Sequence, residues 1–477
     1  MQSIENIEAV YFVGIKGVGM TALALIYKEM GKNVGGVDSN EVFLTDEVLR
    51  KNAISYCHGF DKKNIDSFFT GYTKTKGLVV FTGANGGRNN LEVHYVLKKG
   101  ISVLSHAEAL AIAFQFKKQI VVSGTHGKTT TSAWVAHLLT KLGKHPSYAI
   151  GAPSIGTLGN PGHWGTGAYA VLEGDEYITD PSSDPTPRFH YLNPFLTVIT
   201  SIEYDHPDAY RTLDDVYDSF ITLIKKTKKE GSVIACIDND LTAIKLKPFE
   251  KQITSYGFSD RGDIQVLPTD QQEPETTFFL KEKGRTFGPF TIRLAGLHNV
   301  LNATAALIAV RACGISFEAA SAHLSSFTGT KRRMEVVRIR GKQLFLDDYA
   351  HHPTEIRALL QAVKSRYPNR PIIALFQPHT YSRTQALLGE FGKSFQMADI
   401  VGIADIFASK REEKNPSIDA KRLVREIAKH HHAVFYVHDA DEFLEKISSE
   451  MQADAILITV GAGDIYRWHE TFSQKLP

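Results

Sequence analysis

With 477 residues the chain exceeds what one hydrophobic core usually serves, so two to four domains are expected and three is the natural division. Its 43% hydrophobic and 22% charged residues describe a globular protein, and a formal charge of +2 leaves no basic excess for coating nucleic acid. Cys57, Cys236 and Cys313 lack CxxC spacing, no basic segment precedes the first apolar run, and no run reaches the roughly 18 residues that span a bilayer. Disulfide scaffolds, zinc clusters and membrane insertion are thereby excluded, and a soluble cytoplasmic protein is expected.

In chain order, the apolar run 9–13 reads as a strand, GIKGVGM (14–20) as a glycine turn, and Thr21 to Met30 as a helix. A second strand, 34–37, ends at Asp38, and a third, 78–81, is followed by Thr82-Gly83, so strands alternate with helices as in a parallel α/β sheet. Residues 114–118 read as a hinge before the next strand, 119–123. The central region then runs through a glycine-rich loop, a helix and the strand 197–200 to a helix from Leu297 to Cys313, stopped by Gly314. A third unit begins after 329–333, and its runs 344–346, 372–376, 400–403 and 455–460 read as strands of another parallel sheet. The expected fold is α/β in three domains: Rossmann-like over 1–117, a P-loop ATPase-type α/β unit over 118–329, and a second Rossmann-like unit over 330–477.

The strongest chemical signal is the loop from Gly124 through Thr125, His126, Gly127, Lys128 and Thr129 to Thr130. It is a Walker A motif shortened to two residues between its glycines, yet loop amides and the helix N-terminus would still face phosphates, with Lys128 offsetting charge and a threonine hydroxyl reaching magnesium. Carboxylates for that metal follow two strands: Glu173-Gly174-Asp175-Glu176 after 168–172, and Glu203-Tyr204-Asp205-His206 after 197–200. Asn299, at the start of the 297–313 helix, reads alone as a cap, with Asn302 on the same face. In the third unit, DDYAHHPTE (347–355) and QPHTYSRT (377–384) follow strands, so the histidines read as hydrogen-bonding groups facing a ligand and Arg383 as a partner for carboxylate or phosphate. The N-terminal Gly14-x-x-Gly17-x-Gly19 suits a diphosphate on a helix N-terminus, with Asp38 as the ribose or base contact.

Taken together, GIKGVGM (14–20), GTHGKTTT (124–131), IEYDH (202–206), LHNVLNA (297–303), KRRME (331–335), DDYAHHPTE (347–355), FQPHTYSRT (376–384), DIFASKRE (405–412) and GAGDI (461–465) resemble, in order, the motifs of the Mur ligases of peptidoglycan synthesis. The resemblance implies a UDP-sugar domain, a central ATPase and a C-terminal acceptor domain. It implies an ATP- and Mg2+-dependent ligase in which an acyl phosphate formed on the lactyl carboxylate of UDP-N-acetylmuramate is attacked by the amine of L-alanine. Carried over by position, Lys128, Glu173, His206 and His352 are the catalytic set, with Thr129 and Glu173 on magnesium and His206 on a second metal ion. Gly124 to Thr130, Asn299, Arg333 and Asp348 are the ATP contacts; Gly17, Val18, Gly19, Asp38 and His106 hold the UDP-sugar; Tyr349, His379 and Arg383 surround the amino acid. A monomer or homodimer with small-molecule substrates is implied.

Two departures bear on the acceptor. The alanine-adding members usually read Glu-x-Asp-Glu-Ser-Asp where this chain has Glu173 to Tyr177 and an extension to Pro194, which is more like the members that add a murein tripeptide, L-alanyl-γ-D-glutamyl-meso-diaminopimelate, during cell-wall recycling. Thr200-Ser201 stands where Thr-Asn is usual, and no carbamylatable lysine lies near Ile221. The QPHTYSRT segment is of alanine type, and alanine is the expected acceptor. An ATPase driving transport or a conformational switch would call for partner or membrane segments that the sequence lacks, and intact Lys128, Glu173 and His206 argue against a silent nucleotide-binding regulator.

Overall fold

A computed structural model describes residues 4–476 other than 273–274, 410–411, 413 and 449. Lys410 and Arg411 of the 405–412 motif therefore lie outside the described residues. The first sheet is parallel and consists of β1 (Ala9–Val13), β2 (Asn33–Asp38), β3 (Ser55–His58), β4 (Gly77–Phe81) and β5 (Ser102–Ser105) in the order β3-β2-β1-β4-β5. Strand order reverses between β1 and β4, and the crevice outside such a reversal is where doubly wound sheets bind ligands. The loop after β1 and the loop 82–90 after β4 both open there. The first helix runs Val18–Glu29, three residues earlier than its apolar periodicity suggests, because Gly17 caps it and its carbonyl accepts from Thr21 N at 2.8 Å.

Ten strands form the central sheet: β6 (Lys118–Ser123), β7 (Ser147–Ala149), β8 (Gly162–His163), β9 (Tyr169–Gly174), then β12 (Pro194–Ile199), β13 (Ser232–Cys236), β14 (Ile253–Gly257), β15 (Ile264–Gln272), β16 (Glu275–Glu282) and β17 (Arg285–Ile292). A separate ribbon, β10 (Ile178–Asp180) and β11 (Asp184–Pro187), lies between β9 and β12 in sequence. The order is β17-β16-β15-β14-β13-β12-β6-β9-β7-β8, parallel at its centre and antiparallel in the β15–β17 meander and at β8. The meander is absent from the parallel pattern read in the sequence; Phe278, Leu280, Phe290 and Ile292 are buried while Thr277, Phe279 and Thr291 beside them are only partly so, the alternation of a sheet covered on one face. What matters for function is the register at the centre, where Ser123 pairs with Gly174 on one side and with Ile199 on the other.

The third sheet holds β18 (Glu335–Arg340), β19 (Gln343–Asp348), β20 (Ile372–Phe376), β21 (Ile400–Ile403), β22 (Val434–Tyr436) and β23 (Ile456–Val460) in the order β18-β19-β23-β20-β21-β22, antiparallel only at β18. The segment read as a hinge is anchored: Phe114 is fully buried with Trp164 5.5 Å away, and Lys117 Nζ donates to the carbonyls of Gly165 and Gly167 at 2.7 Å. One apolar cluster is shared between the first and central sheets, joining Val10, Phe12 and Leu23 to Val121, Leu172 and Ile199.

No helix is long and apolar enough to cross a membrane among the described residues. Inside the central core, His137 sits on the helix Lys128–Lys141 with Nε2 2.9 Å from Ser326 Oγ, and burial pushes its pKa from 6.5 down to about 4. The neutral ring therefore adds stability that is complete above pH 6.5 and is lost as the pH falls from there toward 4, where the unfolded chain takes the proton. The stability advantage of the native chain over His137→Gln, read from urea midpoints, should shrink between pH 7 and pH 5; a constant difference would contradict this.

Candidate active site

Three strand ends meet around one lysine. The loop 124–127 leaves β6 for the helix Lys128–Lys141, and it requires glycine twice: a Cβ on Gly124 would lie 2.2 Å from Thr200 Oγ1, and one on Gly127, at φ +79°, would lie 2.4 Å from Asn302 Oδ1. The end of β12 holds the loop in place. Thr125 N donates to the Ser201 carbonyl at 3.0 Å, Ser201 Oγ accepts from His126 N at 2.9 Å, and Glu203 N donates to Thr125 Oγ1 at 2.9 Å. Lys128 Nζ turns back to donate to the carbonyls of Gly124 (2.6 Å) and Thr125 (3.1 Å) and pairs with Glu176 at 2.9 Å. Burial would pull this ammonium down, but Glu176 and Asp175 overcome it and hold it above the usual lysine range. It stays charged.

On the β9 side, Thr129 Oγ1 donates to Glu173 Oε1 at 2.9 Å, while Glu173 Oε2 accepts from Gly151 N at 2.8 Å. Burial raises the Glu173 carboxyl against the pull of its neighbours, so a cation beside it would favour its charged form. His206, held at φ +55°, places Nε2 3.6 Å from Glu176 Oε1 and its ring 4.8 Å from Tyr177. The expected residues Lys128, Thr129, Glu173 and His206 are thus one cluster, together with Glu176, a residue expected among the metal carboxylates that pairs here with Lys128.

Residues of the third domain close over this cluster. Arg383 Nε donates to Asp205 Oδ1 at 2.7 Å with both side chains at most 5% exposed, and Arg383 NH1 lies 3.1 Å from His379 Nδ1. Burial works against the Asp205 charge, yet Arg383 and His206 hold its carboxyl well below the usual range. His352 caps the helix Pro353–Arg366 and reaches the Tyr204 carbonyl with Nε2 at 3.2 Å, while Thr354 Oγ1 donates to Glu203 Oε2 at 2.7 Å. Burial lowers His351 to about 4, so its imidazole is neutral near pH 7. His379 stacks on Phe407 at 5.7 Å, and Tyr349 lies beneath the guanidinium groups of Arg332 and Arg333 at 5.2 and 5.3 Å.

The remaining nucleotide-side residues are placed differently from one another. Asn299 Nδ2 donates to the Ala295 carbonyl at 2.7 Å and its Oδ1 accepts from Asn302, so in this arrangement it stabilises its own helix start; Asn302 is the residue that touches the loop, accepting from Thr131 Oγ1 at 3.2 Å. Arg333 Nη1 lies 3.9 Å from Glu355, and Asp348 accepts from Met334 N and Ala350 N while burial raises it to about 6. In the first domain, Asp38 accepts from Lys16 N at 2.8 Å and so holds the β1 turn. His106 packs on Gly19, where an added Cβ would lie 3.2 Å from its Nε2, and burial with the nearby Arg188 charge lowers its pKa to about 4. Gly17, Val18 and Gly19 open the first helix beside it. Glu355, inside the quoted 347–355 motif, is what sequence reasoning missed; Glu176 and Asp205, expected as metal carboxylates, instead pair with Lys128 and with Arg383 of the third domain, and Asn302 bonds Thr131 within the central domain.

Family models match the chain in three consecutive stretches: Mur ligase family, catalytic domain, over 9–118; Mur ligase middle domain over 122–310; and Mur ligase, glutamate ligase domain, over 332–463. The chain is 34% identical over 461 residues to the UDP-N-acetylmuramate–L-alanine ligase of Desulfitobacterium hafniense, covering 96% of this chain and 98% of that protein. Among solved structures it is similar to the UDP-N-acetylmuramate-alanine ligase of Thermotoga maritima, with TM-score 0.79 and 25% identity over 98% of this chain and 99% of that one. A murein peptide ligase of Psychrobacter arcticus shares the fold, with TM-score 0.71 and 22% identity over 98% of each chain.

The Asp205–Arg383 pair sets a prediction. Asp205→Ala leaves a buried guanidinium without its counter-charge, a loss of roughly 3–5 kcal/mol for a pair of this kind. Amide hydrogen exchange over 377–387 should speed up relative to the native chain; unchanged protection would show that Asp205 does not hold Arg383.

Proposed function

Since the chain belongs to the Mur ligase family, we propose that it joins L-alanine to the lactyl carboxylate of UDP-N-acetylmuramate with ATP as the energy source, in peptidoglycan precursor synthesis. One observation carries the reading in the geometry. Acceptor-side groups, Arg383 and His352, are seated directly on the strand end that holds the phosphate loop, so carboxylate activation and amine attack share a single cleft.

The chemistry has two steps. A carboxylate oxygen attacks the γ-phosphorus and ADP leaves; the free amine then attacks the acyl carbon, and phosphate leaves as the amide forms. Lys128 stabilises the charge that grows on the transferring phosphoryl oxygens, and the amides from Gly127 to Thr130 at the helix start cradle the rest of the triphosphate. Asn299, Arg333 and Asp348 stand on the nucleotide side, and Gly17, Val18, Gly19, Asp38 and His106 on the UDP-sugar side. Tyr349, His379 and Arg383 receive the amino acid, with Arg383 available to its carboxylate. His351 and His352 are both pushed toward the neutral form by burial, and His351, whose Nδ1 faces the Tyr349 carbonyl, offers Nε2 as an acceptor to an amine that must shed a proton before it attacks.

The donor set beside the loop suits magnesium: a threonine hydroxyl and a buried carboxylate 2.9 Å apart, with His206 and Glu176 adjoining. Thr129 and Glu173 would hold one ion and His206 a second. When bound, magnesium supplies positive charge to the β- and γ-phosphate oxygens.

Phosphate release from ATP and UDP-N-acetylmuramate, measured with L-alanine, with L-alanyl-γ-D-glutamyl-meso-diaminopimelate and with neither, tests the reading. Release that needs alanine is expected; release that needs the tripeptide would move the activity to recycling, and no release in any mixture would refute both. Lys128→Ala should lower kcat by at least about 100-fold, the scale on which an electrostatic stabiliser acts; full activity would show that the loop does not hold the transferring phosphate.

A further inference from the structure

The side chain of the P-loop residue His126 has no role in the reaction above, yet its two ring nitrogens are shielded from water and face the carboxylates of Glu203 and Glu355 without completing a well-aligned hydrogen bond. Groups in that condition call for an explanation. Its Nε2 lies 3.6 Å from Glu203 Oε2, and the same oxygen lies 4.0 Å from His352 Nδ1; the three ligand atoms are all within 4.8 Å of one another. The two rings are 4.7 Å apart. Ligands about 2.0–2.1 Å from a tetrahedral ion stand roughly 3.4 Å from each other, so small side-chain rotations bring the set to bonding distance.

The outer contacts match those of metal-binding histidines, which commonly give their second nitrogen to a carboxylate or carbonyl. His126 Nδ1 is 3.2 Å from Glu355 Oε1, and His352 Nε2 is 3.2 Å from the Tyr204 carbonyl. The Thr354 hydroxyl orients Glu203 at 2.7 Å. His352 Nδ1 also accepts from Thr354 N at 3.2 Å, a long capping contact that an ion would replace.

We propose that His126, Glu203 and His352 form a site for one zinc-type divalent cation, distinct from the magnesium position at Thr129 and Glu173. Two imidazoles and one carboxylate with a fourth position open select zinc, nickel or copper over magnesium, which favours oxygen ligands. The ligands come from the phosphate loop, from the segment after β12 and from the third domain, so a bound ion pins that domain onto the loop and takes His352 away from the acceptor. Zinc is therefore an inhibitor of the turning-over enzyme.

Titration of zinc into the metal-stripped full chain, without nucleotide or sugar, reads this site independently of the ligase reading. Binding of one ion is expected, weakened at least about tenfold in His352→Gln and in Glu203→Gln and unchanged in His206→Gln. Equal affinity in all four chains, or weakening only in His206→Gln, would overturn the proposal. Crystals of the unaltered chain grown with zinc serve if a variant fails to fold: an anomalous peak between His126, Glu203 and His352 supports the site, and a peak only elsewhere, or none, removes it.

Discussion

A positive charge held out of water organises this molecule. The Lys128 ammonium lies at the first turn of a helix, where the backbone dipole is itself positive, and it is largely shielded from solvent. Such a charge persists only beside fixed negative partners. The two loop carbonyls and the Glu176 carboxylate are those partners, and they arrive because the ends of β9, β6 and β12 are aligned by parallel pairing of Ser123 with Gly174 and Ile199. The same arrangement leaves Lys128 facing the place where a phosphate, the natural substitute for Glu176, would bring its own negative charge.

From that lysine, opposite charges alternate outward into all three domains. Asp175 carries the pattern to Arg188, whose guanidinium influences His106 at the first-domain crevice; burial would raise the Asp175 carboxyl, but Arg188 and Lys128 overcome it and hold it down at about 2. Glu176 carries it to His206, and Asp205 carries it on to Arg383 in the third domain. The first and third domains also touch directly, where Arg467 donates to the Val42 carbonyl at 2.5 Å. Asp180 of the β10–β11 ribbon accepts from Arg88 N at 2.9 Å and closes the seam between the first and central domains. The first and central domains are held together by a shared apolar cluster as well, whereas the contacts that seat the third domain on the phosphate loop include the charged pair Asp205–Arg383 and the polar pair Glu203–Thr354, which substrate anions could replace.

Much of this was legible in the sequence because it is local. Apolar runs followed by glycine or polar residues marked β1, β6, β9, β12, β19 and β20, and the residues after β6, β9 and β12 do meet in one cluster. The loop glycines announced themselves by spacing. Partner choice was not legible, since it depends on which strand ends become neighbours. Glu173 and Glu176 look equivalent in the motif, but pairing aims the second at Lys128 and the first at Thr129. Asn299 and Asn302 share a helix face, and only the second reaches Gly127. Adjacent Arg332 and Arg333 divide in the same way: Arg332 is buried on Asp347 and on the Gly461 and Gly463 carbonyls as part of the fold, leaving Arg333 partly exposed toward the cleft. The β15–β17 meander escaped the reading because its one short apolar run, Phe278 to Leu280, is embedded in polar and charged residues with no chemistry-bearing motif after it.

The central claim is that the buried lysine and its loop pass a phosphoryl group to a carboxylate, which then becomes an amide. UDP-N-acetylmuramate labelled with 18O in both lactyl carboxylate oxygens tests it most directly, with ATP, magnesium and L-alanine supplied and the released phosphate analysed by mass spectrometry. Transfer through an acyl phosphate predicts one 18O atom in each phosphate and the other in the amide carbonyl; unlabelled phosphate accompanying amide formation would contradict it.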